Sequence, residues 1–132
     1  SRYIYGSDNA GASGLKIYDC KTKTLLRTIK PEKTKDPTGY TINYIQDAMV
    51  SGGKLYYKEL GYYETIVFET SLSGMTKPKE IFREQTEEMR KLRNGKFYFA
   101  QMDENWELKY YTMDVKTGER KNSSMEEYDN AR

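Results

Sequence analysis

The stretch Lys96–Glu119, KFYFAQMDENWELKYYTMDVKTGE, decides the fold. It reads as an aromatic strand, a polar loop, a second strand and a tight turn. Tyrosine and other aromatic residues favour half-buried strands. The same unit recurs twice upstream, as YIYGSDNAGASGLKIYDCKTKT from Tyr3 to Thr24 and KLYYKELGYYETIVFETSLSGM from Lys54 to Met75. Tyr5, Tyr56 and Tyr98 hold the same place in their strands, 51 and 42 residues apart. The turn exits Gly53-Lys54 and Gly95-Lys96 are also 42 apart. A four-stranded unit repeating every ~40–50 residues has the length of a β-propeller blade. The other reading of these spacings is an ordinary antiparallel meander.

Working outward, the remaining strands follow from turn chemistry. Leu15–Asp19, Leu25–Ile29 and Tyr40–Val50 read as strands, the last with Ile42, Tyr44 and Met49 facing inwards. Lys30–Gly39, KPEKTKDPTG, reads as a charged surface loop. Ser51-Gly52-Gly53 and Asn94-Gly95 are hairpin turns, because their residues accept positive φ. Tyr63–Thr70, a short strand Lys77–Phe82 containing Pro78, Leu108–Met113 and Glu119–Asn122 complete the set. A proline inside a strand implies an edge. Arg83–Arg93, REQTEEMRKLR, is open between a loop leading to a strand from about Met89 to Arg93 and a helix of one or two turns. The tail SSMEEYDNAR is expected to fray.

The expectation is therefore an all-β single domain over residues 1–132. It is made of antiparallel four-stranded blade-like repeats at about 1–29, 40–83 and 87–124, with a polar tail at 125–132. Three propeller-type blades, the first lacking its innermost strand, describe an open or incomplete propeller. They imply a fragment of a longer propeller, a homo-oligomer, or an open array with exposed edges.

Composition narrows the function. The chain of 132 residues has 22 basic and 20 acidic residues, interspersed, for a net charge of +2. That is a solvated surface and not a nucleic-acid footprint. There is no histidine and a single cysteine, Cys20. A Ser-His-Asp triad, a Cys-His pair, His-ligated zinc and a disulfide within the chain are excluded. No run reaches transmembrane length, so membrane insertion is not expected.

Two segments carry a resemblance. YIYGSDNAGASGLKIYD, Tyr3–Asp19, resembles the strand-loop-strand core of TolB-like propeller repeats. LKYYTMDVKTGE, with Asp114 ahead of Lys116-Thr117-Gly118, resembles the hairpin of the same group, which includes bacterial envelope-associated domains likened to the lipoprotein-receptor propeller. In the middle copy Thr70 stands where Asp19 and Asp114 stand. The resemblance spans Tyr3 to about Lys121. It implies a propeller fold and an extracytoplasmic or cell-envelope location, and it transfers no catalytic residue.

In an up-and-down blade the connections alternate between faces. Loops Ser7–Gly14, Leu60–Glu64 and Met102–Glu107 therefore share one face with the links Lys30–Tyr40 and Arg83–Glu88. That face offers Asp8, Asn9, Tyr62, Tyr63, Asp103, Asn105 and Trp106 as candidate ligand-binding residues, with Glu104 beside them. Aromatic rings among carboxylates and amides suit a protein or glycan ligand. The alternative is that Trp106 and Tyr63 pack beneath their own loops. Asp8 with Asn9, or Asp103 with Glu104, lacks EF-hand spacing, and no metal or other cofactor is expected. Asp103 and Glu104 as a glycosidase pair are too close in one loop to flank a scissile bond. The basic clusters at Arg90, Lys91 and Arg93 and at Lys30, Lys33 and Lys35 read as solvated faces balanced by nearby acids. Cys20 reads as an inert packed thiol. The function expected is a non-catalytic binding module. The alternative is a structural or assembly segment, and a carboxylate-based hydrolase stands third.

Overall fold

The computed structural model describes residues 3–7, 14–31, 44–61, 64–72, 74 and 76–132, with the backbone alone for 3–7 and 44. Among these residues the chain is all-β with one short helix. Three antiparallel sheets follow one another along the sequence. The first holds β1 (Tyr3–Ser7), β2 (Leu15–Asp19) and β3 (Leu25–Ile29). The second holds β4 (Tyr44–Ser51), β5 (Lys54–Leu60), β6 (Thr65–Ser71) and β7 (Lys79–Glu84). The third holds β8 (Arg90–Arg93), β9 (Lys96–Met102), β10 (Leu108–Asp114) and β11 (Arg120–Asn122). Within each sheet, strands adjacent in sequence are adjacent in space.

The repeated unit has a common register. Tyr3 pairs with Asp19, Lys54 with Ser71 and Lys96 with Asp114. Tyr5, Tyr56 and Tyr98 each stand two residues further in, opposite Ile17, Glu69 and Thr112. The turns repeat as well. Asp19 Oδ1 accepts the Lys21 and Thr22 N–H groups at 2.8 and 3.3 Å, and Asp114 Oδ1 accepts those of Lys116 and Thr117 at 2.9 and 3.1 Å. Two backbone bonds close each loop, Asp19 N–H to Thr24 and Lys23 N–H to Asp19, then Asp114 N–H to Glu119 and Gly118 N–H to Asp114. Lys23 and Gly118 occupy the same left-handed position, with φ of 62° and 76°. The counterpart of these aspartates in the middle unit is Ser71, not Thr70. Register fixes it opposite Lys54, and its Oγ takes the Gly74 N–H at 3.1 Å.

The second sheet lies between the other two, so both its faces are buried. Leu55 to Leu60 are buried without interruption. Alternation sends Leu55, Tyr57, Ile66 and Phe68 towards the first sheet, where they meet Leu15, Ile17 and Ile29. It sends Tyr56 and Val67 towards the third, where they meet Leu92, Phe97, Phe99 and Met113. Strands covered on both sides lose the apolar–polar alternation that marks a half-solvated sheet.

Polar groups stitch both interfaces. From β3, Arg27 reaches Thr70 Oγ1 and the Ser71 carbonyl, both at 2.8 Å, and the Thr76 carbonyl at 2.7 Å. On the other side a β-bulge between Ile45 and Ala48 turns Asp47 out of β4 with φ +79°. The Asp47 carboxylate accepts the Leu92 N–H at 2.9 Å and Arg93 Nη1 at 2.8 Å. Beside it the buried Lys58 ammonium donates to the Arg90 carbonyl at 2.6 Å. Burial pulls the Lys58 pKa down from 10.5 to about 8, with Arg90 and Arg93 adding to the drop and Asp47 opposing it. Arg93 is thus an inter-sheet contact, and the solvated-face expectation for that cluster fails there.

Two further expectations need correction. Pro78 precedes β7 and does not lie in it, because the strand starts at Lys79. β7 is an edge strand all the same. The tail does not fray over Met125–Asn130 but forms helix α1. Ser124 is its N-cap, accepting the Glu127 N–H at 3.1 Å in the Ser-x-x-Glu pattern that starts helices. Its Tyr128 ring packs 6.0 Å from Tyr110 on the outer face of the third sheet, under the Lys91 ammonium at 4.2 Å. Arg83–Arg93 resolves into the end of β7, a link and β8, with no helix. Cys20 is partly exposed in the β2–β3 turn. Ile42 and the Tyr44 side chain lie outside the described residues, while Met49 is buried as expected.

Candidate functional site

The β9–β10 connection is a short loop ordered by its first residue. Asp103 exchanges backbone bonds with Glu107 and Trp106, its N–H reaching the Glu107 carbonyl at 2.9 Å and its carbonyl taking the Trp106 N–H at 3.1 Å. Its side-chain Oδ1 accepts the Asn105 and Glu107 N–H groups at 2.8 and 2.9 Å. These backbone donors stabilise the carboxylate and hold the Asp103 pKa below the usual value. The acid is committed to building the loop. It is a poor proton donor and a poor free ligand.

The consequence of this loop is the placement of Trp106, the only tryptophan in the sequence. Its backbone is left-handed, φ +61°, and its side chain is 84% exposed. The expectation that Trp106 plugs its own loop is therefore overturned. A bulky residue in this region is a steric outlier, and such strain gathers at sites of use.

Trp106 stands at the rim of an open cleft of about 690 Å³. One wall is the β9–β10 loop with Met102, Asp103 and Glu104, and the other is the link Glu84, Gln85 and Glu87. The end of β7 and the β9–β10 loop thus share one side of the third sheet, as alternating connections require. The floor is Gln101 and Arg120. Glu84 Oε2 accepts Arg120 Nη1 at 2.9 Å and Gln101 Nε2 at 3.2 Å, and the same amide reaches the Gln85 carbonyl at 2.8 Å. The guanidinium lies 5.1 and 5.8 Å from the Phe82 and Phe99 ring centres, a cation–π seat on the top of the core. Core and site are therefore continuous.

Of the residues singled out from sequence, Asp103, Glu104 and Trp106 meet in this cleft. Asn105 is exposed at the loop tip and contributes its N–H to Asp103. Asp8, Asn9, Tyr62 and Tyr63 lie outside the described residues. The sequence reading missed Gln101, Arg120, Glu84 and Glu87. A period-2 count would have found Gln101, since Phe97, Phe99 and Gln101 share one face and the third is polar at the loop end. Glu84 and Glu87 lie in the Arg83–Glu88 link that alternating connections put on this face, and packing selects them as the side chains that reach the loop.

Among the described residues, no group of three or more His, Cys, Asp or Glu side chains is placed to hold a metal ion, and no helix is long and apolar enough to cross a membrane. The sequence matches no protein-family model and no curated protein.

Proposed function

We propose that the chain is a non-catalytic binding module that engages a protein or glycan through the loop side of its third sheet. In this reading the three sheets are blades of an open or incomplete TolB-like propeller from a bacterial envelope or extracellular protein. One observation carries the binding role: the sole tryptophan is held in a strained backbone conformation and left exposed at the edge of a structured cleft. Exposed aromatic side chains with a hydrogen-bonded polar floor are the anatomy of ligand sites. The commitment of Asp103 to its own loop argues against the hydrolase reading, because backbone donors hold its carboxyl ionised and Glu104, its immediate neighbour, is too close in one loop for the two to flank a scissile bond.

The test is a peptide and glycan array probed with the parent chain and with Trp106→Ala. Binding of at least one class, lost in the variant while the urea midpoint is kept, supports the reading. No ligand on either array counts against it.

An assembly role is favoured by a different observation. The first sheet has three strands among the described residues where the other two have four, and β1 pairs on one side only. Its open edge can be completed by another strand. A concentration-dependent mass in sedimentation, unaffected by Trp106→Ala, would favour this role.

A further inference from the structure

Resting on the binding-module reading, the geometry points to a ligand class: we infer that the cleft takes the cationic side chains of a lysine- or arginine-bearing peptide. The chain as a whole is slightly basic, with 22 basic against 20 acidic residues. The cleft departs from that balance, with carboxylates from Glu84, Glu87, Asp103 and Glu104 against the single guanidinium of Arg120.

The bonding within the cleft sorts these charges. Arg120 is held by Glu84 and sits over the Phe82 and Phe99 rings. Asp103 is taken up by the Asn105 and Glu107 N–H groups. What remains are Glu87 and Glu104, neither of which has a side-chain hydrogen bond or an ion pair among the described residues, and the Trp106 indole. The uncommitted charges are thus both negative. An indole face attracts cations through its quadrupole, and nearby carboxylates add to the attraction. Met102, 46% exposed, supplies apolar surface for the methylene stem that precedes an ammonium or guanidinium. A volume of about 690 Å³ matches a few side chains of an extended peptide.

The same indole provides the readout. A short lysine–glycine repeat peptide, a serine–glycine repeat peptide and a neutral glucan oligosaccharide are each titrated into the full chain while Trp106 emission is followed. The lysine peptide is expected to shift the emission, the serine peptide not to, and the affinity to fall as salt is raised. Glu87→Gln with Glu104→Gln should weaken the lysine peptide about five- to tenfold and flatten its salt dependence. Trp106→Ala, followed by calorimetry, should weaken it about two- to thirtyfold. Urea midpoints of all variants, expected to match the parent, separate lost binding from lost folding. Equal or tighter binding of the neutral oligosaccharide overturns the inference and leaves the binding module standing. Silence from every probe, with the arrays also blank, overturns both.

Discussion

The two faces of the middle sheet are built differently. Towards the first sheet the contact is mostly aliphatic, with Leu15, Ile17, Ile29, Ile45, Leu55 and Ile66 around the stacked pair Tyr57 and Phe68. Towards the third sheet it is a run of phenylalanines. Phe82, Phe97 and Phe99 lie 5.0–5.1 Å apart centre to centre, and Tyr111 continues the row at 5.5 Å from Phe99. Both interfaces bury apolar area and both open to solvent, the first at a cavity of about 260 Å³ beside Ile29 and Tyr57, the second at the larger cleft that holds Trp106. Phe82 and Phe99 carry the Arg120 guanidinium that floors the cleft. Aliphatic packing holds sheets together. Aromatic packing does the same while offering π faces on which a charge can be seated.

The sharpest way to break this comparison is to cut each interface once and watch the cleft. Phe99 and Ile17 are both fully buried. Phe99→Ala should cost about 3–5 kcal/mol and Ile17→Ala about 2–5 kcal/mol in urea unfolding. The stability losses overlap, so the informative readout is Trp106 emission in the folded variants. Phe99→Ala removes one of the two rings beneath Arg120 and should alter the emission and the binding of any cleft ligand. Ile17→Ala should leave both as they are. If Ile17→Ala disturbs the cleft equally, the two interfaces are not functionally distinct.

The second difference is electrostatic. The third-sheet side buries Lys58 against the Arg90 carbonyl, near Asp47. Its pKa, lowered from 10.5 to about 8 mainly by burial, means that the unfolded chain holds this proton more tightly than the folded one. Stability therefore rises with pH from about 8 towards 10.5. Between pH 7 and 9.5 the linkage amounts to about 2 kcal/mol. The rise is limited at the top because Tyr56, pushed up to about 12 by burial and its bond to Glu69, works with the opposite sign above pH 10. Urea midpoints at pH 7 and 9.5 test this. The parent should gain stability over the interval, and Lys58→Met should be flat. A parent midpoint that falls over this range would place the lysine elsewhere in energy.

Much of the fold was legible because its signals are local. Asn94-Gly95 and Gly52-Gly53 adopt positive φ at both positions, 54° and 75°, then 57° and 77°, as two-residue hairpins demand. The Asp-x-Lys-Thr pattern at Asp19 and Asp114 gives matching turns for the same reason. Ser71 was misassigned by one residue because sequence spacing carries no register, whereas pairing with Lys54 does. Helix α1 was missed although Ser124 and Glu127 form a capping signature, since six residues gain stability only by docking Tyr128 on a sheet that sequence alone does not place. The site divides in the same way. Trp106 and Asp103 lie in one loop and were found. Alternating connections place the Arg83–Glu88 link on the same face, but no local pattern marks Glu84, Glu87 and Arg120 as the side chains that meet there.

The smallest effect bears on why Trp106 is where it is. Its φ of +61° costs a residue with a Cβ about 1–2 kcal/mol relative to a right-handed conformation, and glycine escapes that cost while losing about 0.5–1 kcal/mol to its freer unfolded chain. Since the side chain is 84% exposed, truncating it removes little packing. Trp106→Gly should therefore unfold at a higher urea midpoint than Trp106→Ala, by about 0.5–1 kcal/mol in stability, and both should bind the cleft ligand about two- to thirtyfold more weakly than the parent. A backbone position that suits glycine, filled by the largest side chain and left in solvent, gains nothing for folding, and this is the ground of the proposed binding role. The explanation is lost if Trp106→Ala matches the glycine variant in stability, for then the backbone relaxes freely and no strain is being kept. It is equally lost if either variant binds as the parent does.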